Sequence, residues 1–290
     1  MRILDYPNES YLKLENVGVH PNVVRRLPLT AARGYHAIPV AEEAVRITGV
    51  CPRFLVCSPA YRIQPGAIQD LNAENELDAY ARELGKLLNA EITSKRLEKT
   101  GLSPALSEEI HQGVYELVLC TRQSFPFLKH QPVSLLVVQR PRYALTRILM
   151  PVVGEETGDS ALDWAIRLAR ASQGAVTVLT VVSPAPIMYH GLPHMQPSLP
   201  DLLVADTPFG QRIRHMAKQL ADRDIHATLR LRTGHFFDQV QEEIKEGGYD
   251  MILLTPEPPS RLRRLLWGDV VGMVLKWVKL PVLLAKPGIE

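Results

Sequence analysis

The residues with the clearest chemical promise follow the apolar run Met251–Leu254. The segment reads Thr255-Pro-Glu-Pro-Pro-Ser-Arg-Leu-Arg-Arg-Leu-Leu-Trp-Gly-Asp269 and gathers Arg261, Arg263 and Arg264. Guanidinium forks match phosphate oxygens, so one reading is a phosphate contact. The plainer reading, which the sequence favours, is a solvated approach to the last helix. His190 and His194 stand four apart beside Met188 and Met195. A helix would turn both imidazoles to one face, as a metal site requires, but Gly191 and Pro193 lie between them and oppose a helix. That stretch reads as a Pro-rich insertion, and no metal site is expected. His235 follows Thr233-Gly234 and reads as a cap or surface residue, with a ligand contact as the alternative. Cys51, Cys57 and Cys120 are odd in number and lack metal spacing. Cys57 and Cys120 lie in apolar runs and read as small buried hydrophobes in a reducing compartment. There is no Gly-x-Ser-x-Gly turn and no Ser/His/Asp or Cys/His set at a recognisable spacing. Gly154-Glu-Glu-Thr-Gly158 lacks the lysine and spacing of a P-loop and reads as a turn. These absences point away from an enzyme, and a hydrolase or adenylyl-transfer activity would rest on fold analogy alone.

The chain around these residues is long enough for two domains, with 290 residues, 46% hydrophobic and 22% charged. A formal net charge of +2 gives no electrostatic footprint for nucleic acid. Met1–Leu14 carries Asp5, Glu9 and Lys13 without the apolar core of a secretory signal. Lys276, Lys279 and Pro281 interrupt the best membrane candidate, Val270–Ala285. The expectation is a cytoplasmic protein with neither nucleic acid nor membrane as partner.

An internal repeat organises the chain. Gly49-Val-Cys-Pro-Arg-Phe-Leu-Val-Cys-Ser-Pro-Ala60 aligns without a gap on Gly174-Ala-Val-Thr-Val-Leu-Thr-Val-Val-Ser-Pro-Ala185. Thr100-Gly101, Glu108-Glu-Ile110 and Tyr115-Glu-Leu-Val-Leu-Cys-Thr121 have partners in Thr233-Gly234, Glu242-Glu-Ile244 and Tyr249-Asp-Met-Ile-Leu-Leu-Thr255. Pro132–Val138 resembles Pro281–Ala285. Three matches in one order give two units, 1–141 and 142–290.

Periodicity predicts the elements of the second unit in the order β-α-β-α-β-α-β-α-β. The strands are Arg147–Val153, Val176–Val182, Ala227–Arg232, Met251–Leu254 and Pro281–Ala285. The helices are Ser160–Ser172, Thr207–Arg223, Phe236–Glu246 and Trp267–Val278. Ala227–Arg232 alternates apolar and basic residues and suggests a less buried strand. Strands alternating with helices of this length predict a parallel sheet with helices on both faces. The first unit is incomplete. It offers Ala41–Thr48, Glu76–Leu88 and Ser103–Gln112 as helices and Phe54–Cys57, Ile92–Leu97, Leu117–Cys120 and Val133–Val138 as strands, with Ile38-Pro39-Val40 a weak first strand. The connection Arg122–Pro132 is too short for a normal crossover helix. Met1–Arg33 has no counterpart in the second unit. Trp164, Trp267 and Trp277 fall on helices and read as core residues, with the interface between units as an alternative for one of them.

Several of these stretches resemble the universal stress protein domain: Ile148-Leu-Met-Pro-Val, Ala161-Leu-Asp-Trp-Ala, the strand Val176–Val182, Leu262-Arg-Arg-Leu-Leu-Trp-Gly268 and Val274-Leu-Lys-Trp-Val-Lys-Leu-Pro-Val-Leu-Leu284. The resemblance covers Arg147–Lys286 and is weaker over Ala41–Arg140. It implies a five-stranded parallel sheet in each unit, paired within the chain as two single-domain subunits would pair, through their last strands. Many members of the family bind ATP through a loop Gly-x2-Gly-x9-Gly-(Ser/Thr) after the fourth strand. Mapped here, Gly268 fits the last glycine, while Thr255, Pro258 and Asp269 stand at the other three positions. Pro258 has no N–H to donate. A carboxylate at Asp269 would repel a phosphate charge about 4 Å away by about 4 kcal/mol in an effective dielectric of about 20. The family's acidic residue after the first strand maps to Val153. The resemblance therefore implies a stress-associated, non-catalytic protein that acts through protein contacts, with an unidentified protein partner or a homo-oligomer, and with ATP and AMP disfavoured. The alternative is a nucleotide- or small-molecule-binding regulatory domain with altered contacts, its ligand lined by Val153, Ser183, Gly234, Thr255, Arg261 and Gly268 at the carboxyl ends of the strands.

Overall fold

A computed structural model describes residues 2–4, 11–15, 51–59, 68–98, 101–113, 115–152, 159–182, 198–255 and 270–287. The second unit forms as its periodicity predicts. Its strands are β7 (Arg147–Val152), β8 (Ala175–Val182), β9 (Ala227–Thr233), β10 (Met251–Leu254) and β11 (Val282–Leu284). They lie in the order β9-β8-β7-β10-β11, and all pair in parallel. Helix α4 (Asp159–Ser172) and helix α6 (Pro208–Asp222) pack on one face of the sheet, and α7 (Phe236–Gly247) and α8 (Val270–Trp277) on the other. A short helix, α5 (Leu199–Val204), precedes α6. Local chemistry sets the ends. The Thr207 hydroxyl accepts from the Gly210 N–H at 3.1 Å, ahead of Pro208 in the first turn. Gly248 ends α7 at φ 60°, a left-handed conformation that costs glycine nothing.

Among the described residues the sheet of the first unit has four strands rather than five: β3 (Arg53–Pro59), β4 (Glu91–Leu97), β5 (Leu117–Thr121) and β6 (Ser134–Val138). Their order is β4-β3-β5-β6. By the internal repeat, β3 is the second strand of the unit and β5 the fourth. In the second unit a first strand separates the two, but here β3 pairs directly with β5, in the register Cys57↔Cys120. The slot for a first strand is closed. The candidates Ile38–Val40 and Ala41–Thr48 lie outside the described residues. Helix α1 (Ile68–Leu88) covers one face of this sheet and α2 (Pro104–His111) the other. Between the parallel strands β5 and β6 the chain forms only the one-turn helix α3 (Phe125–Leu128), as the short connection requires.

The two sheets join where β6 pairs antiparallel with β11, Leu136 opposite Leu283. Each face of the joined sheet then carries one core that draws on both units. Trp164 of α4 sits at this junction, 6% exposed, 6.3 Å from the Phe54 ring, and its indole N–H donates to the Ser134 hydroxyl at 3.2 Å. Trp277, by contrast, is not a core residue: it is 58% exposed, edge-on to Phe237. A pair of reciprocal caps follows the local two-fold relation. Gln139, just past β6, donates from Nε2 to the carbonyls of Leu275 and Val278 at the end of α8, at 2.7 and 2.8 Å. Lys286, just past β11, donates from Nζ to the carbonyls of Lys129 and Gln131 after α3. Burial lowers the Lys286 amine to about 8.

Residues 2–15, which have no counterpart in the repeat, supply two further strands, β1 (Arg2–Leu4) and β2 (Tyr11–Glu15). They extend the sheet antiparallel beyond β9, at the far end from β4, and bring it to eleven strands.

Ser134 ties the junction, accepting from Trp164 Nε1 and from the Lys286 N–H at 3.1 Å. Ser134→Ala leaves two donors without this acceptor. We expect a loss of about 1–3 kcal/mol in urea unfolding; unchanged stability would show that the hydroxyl holds nothing.

Candidate functional site

In an open α/β sheet the ligand crevice lies beyond the carboxyl ends of the strands, where connections leave to opposite faces. In the second unit this switch point falls between β7, whose chain leaves to α4, and β10, whose chain leaves to α8. The strands that end there are almost wholly apolar: Val152 and Leu254 are buried at 1% and 2% exposure. The exception is Thr255. Its Oγ1 is buried and has no hydrogen-bond partner among the described residues.

The matching threonine of the first unit, Thr121, ends β5 in the same way. Its hydroxyl shares a 3.2 Å hydrogen bond with the Ser124 hydroxyl and accepts from the Ser124 N–H at 3.4 Å. The turn into α3 thus consumes Thr121, whereas Thr255 finds no partner among the described residues. Because β6 and β11 are antiparallel, the switch points of the two units face opposite ends of the sheet.

The predicted site residues divide accordingly. Gly234 lies directly after β9 at φ 147°, with its N–H donating to the Val182 carbonyl at 2.9 Å. A side chain is disfavoured at that φ and would press on Gln239. Gly234 and Thr255 both follow strands on the carboxyl edge. Val153, Ser183, Arg261 and Gly268 lie outside the described residues, as do Pro258, Asp269, His190 and His194. His235 is the N-cap of α7 by position only: its side chain makes no capping bond and stands 3.9 Å from Asp238, well exposed. Cys57 and Cys120 are buried, and burial first, then the Glu109 charge, raises the Cys57 thiol to about 12. Neither is a nucleophile in this state. Among the described residues no group of three or more His, Cys, Asp or Glu could hold a metal.

Charge at the crevice mouth is already committed. Asp159 occupies the first turn of α4 and pairs with Arg212 at 2.7 Å. The end of a helix dipole that would attract an anion therefore already carries one.

β9 is less buried than β10 and β11, as its apolar–basic pattern suggested, and its half-buried arginines are paired. Arg230 Nη1 and Arg232 Nε reach Glu243 of α7 at 2.6 and 2.8 Å, and the Tyr249 hydroxyl donates to the same carboxylate at 2.5 Å. Glu243 is fully buried. Burial alone would raise its pKa, but the bonds from Tyr249 and Arg232 and the charges of Arg230 and Arg232 outweigh it and hold the carboxyl below its usual range. The first unit repeats the pair: Tyr115 donates to Glu109 at 2.6 Å. Arg53 lies over the Tyr115 ring as Arg147 lies over Tyr249. The signal for this network was the Glu-x5-Tyr spacing common to both units.

Because the folded-state pKa of Glu243 is depressed, its stabilisation is present above the unfolded carboxyl value and disappears as pH falls through the folded one. Glu243→Gln should cost on the order of 3 kcal/mol at neutral pH, with the gap from the parent closing in acid. Urea titrations at several pH values check this; a pH-independent gap would contradict it.

Residues 144–286 match the model of the universal stress protein family. Among solved structures, a protein of Pseudomonas aeruginosa UCBPP-PA14 assigned to that family is 13% identical, with 82% of this chain and 94% of that one covered at a TM-score of 0.50. A universal stress protein from Archaeoglobus fulgidus DSM 4304 is 13% identical, covering 86% and 90% at 0.48. A family protein from Arabidopsis thaliana, solved with AMP bound, is 15% identical and covers 49% of this chain and 91% of its own at 0.32. No curated protein matches the chain. At such identity the Pseudomonas structure speaks to fold alone; it is the match over β7 to β11 that makes residues 144–286, the second unit, a domain of the universal stress protein family.

Proposed function

We propose that this chain is a non-catalytic member of its family that takes no ATP and works through protein contacts. The observation that carries the reading is the replacement of a phosphate cradle by groups that cannot serve it. Pro258 lacks the amide, and Asp269 puts a carboxylate at the hydroxyl position just ahead of α8. Asp159 places a second carboxylate in the first turn of α4. The N-terminus of α4 therefore meets the chain's own negative charge, and the sequence would bring a second carboxylate, Asp269, next to α8. The first unit supports the same reading, since its one-turn α3 leaves no room for a phosphate loop. For protein contact, the exposed Trp277 against Phe237 on the α7–α8 face offers aromatic area of the kind that interfaces favour.

One observation favours a second reading, a small-molecule-binding regulatory domain. The Thr255 hydroxyl, without a partner among the described residues, would bond a polar ligand group, with Arg261 available in sequence for an anionic one. Val153, Ser183, Gly234 and Gly268 complete the positions that the family pattern assigns to such a site.

Thermal unfolding with Mg-ATP, AMP and cyclic AMP separates the two. The first reading expects no stabilisation by any of them. A rise in melting temperature that is lost in Arg261→Ala would replace it with the second.

A further inference from the structure

The sheet has two ends, and they are protected differently. At one end β4 exposes Glu91, Ser94, Lys95 and Arg96. Charge along an edge strand deters pairing with another strand. At the other end, β9 bears arginines that turn inward to Glu243 and guard nothing. Its backbone still offers hydrogen bonds. The His226 carbonyl accepts from the Val176 N–H, and the Gly234 N–H donates to the Val182 carbonyl. The even-numbered residues of β9 thus bond to β8, and Ala227, Leu229, Leu231 and Thr233 direct their backbone groups outward. β2 covers this edge with Leu12 opposite Leu229 and Leu14 opposite Ala227. The cover comes from a segment that belongs to neither repeat.

We propose that β9 is a strand-acceptor edge which residues 2–15 fill in cis, and that β9 of a second copy of this chain pairs there when they leave. The strand suits antiparallel pairing with itself. With Leu229 opposite Leu229, Ala227 faces Leu231 and outward backbone groups meet outward backbone groups. Thr228 then faces Arg230, so no like charges oppose each other, and the leucines of both copies continue the same apolar face.

Two variants test this by sedimentation equilibrium beside the full chain. One lacks residues 1–15. The other, Leu12→Pro in the full chain, removes the N–H aimed at Leu229 and guards against a truncation that fails to fold. Both should double the mass of the full chain. Ala227→Pro added to either should restore the single mass, because it removes an outward N–H that β9 of the second copy needs and leaves the bonds to β8 in place. An unchanged mass in both variants overturns the proposal. So does a doubled mass that survives Ala227→Pro, which would place the contact elsewhere.

Discussion

The antiparallel pairing of β6 with β11 is the constraint on which the rest of the molecule depends. It turns two parallel sheets into one, with a continuous core on each face. The side chains at this seam are chosen for it. Leu135, Leu136 and Val137 face Leu284, Leu283 and Val282, and Ser134 satisfies the indole of Trp164. Gln139 and Lys286 cross the seam in opposite directions to cap a helix of the other unit. A helix end capped from across a boundary is stable only while the boundary is closed. The two units therefore cannot separate without exposing both their cores and their helix termini.

Among the described residues the first unit keeps what the seam and the sheet need: β3 beside β5, α1 on one face, α2 on the other and one turn at α3. Thr121 shows the consequence at atomic scale. The position that ends the fourth strand has become part of a tight turn with Ser124. In the second unit the same position finds no partner among the described residues. The packing that holds both units is distributed over many apolar residues, whereas the candidate site rests on a few polar ones.

Much of the fold was legible in the sequence because buried parallel strands are short apolar runs and their helices carry caps. Met251–Leu254, Val176–Val182 and the Thr207-Pro208 helix start were readable in this way. What the sequence hid were pairings between distant residues. Tyr11-Leu-Lys-Leu-Glu15 alternates as a strand should, but nothing local shows that its partner is β9. Arg230 and Arg232 marked β9 as a less buried strand, as it is, but their counter-charge, Glu243, lies on a helix whose packing the strand pattern does not reveal. At the candidate site, residue types were readable and satisfaction was not: the difference between Thr121 and Thr255 appears only in three dimensions.

The central claim is that the crevice between β7 and β10 no longer receives an adenine nucleotide. The most direct measurement is a crystal structure of the full chain grown with excess Mg-ATP. The account predicts no nucleotide at the carboxyl ends of these strands, with Asp159 still paired to Arg212. An adenylate seated there, bonded to the Thr255 hydroxyl and with its phosphates at the start of α8, would contradict it.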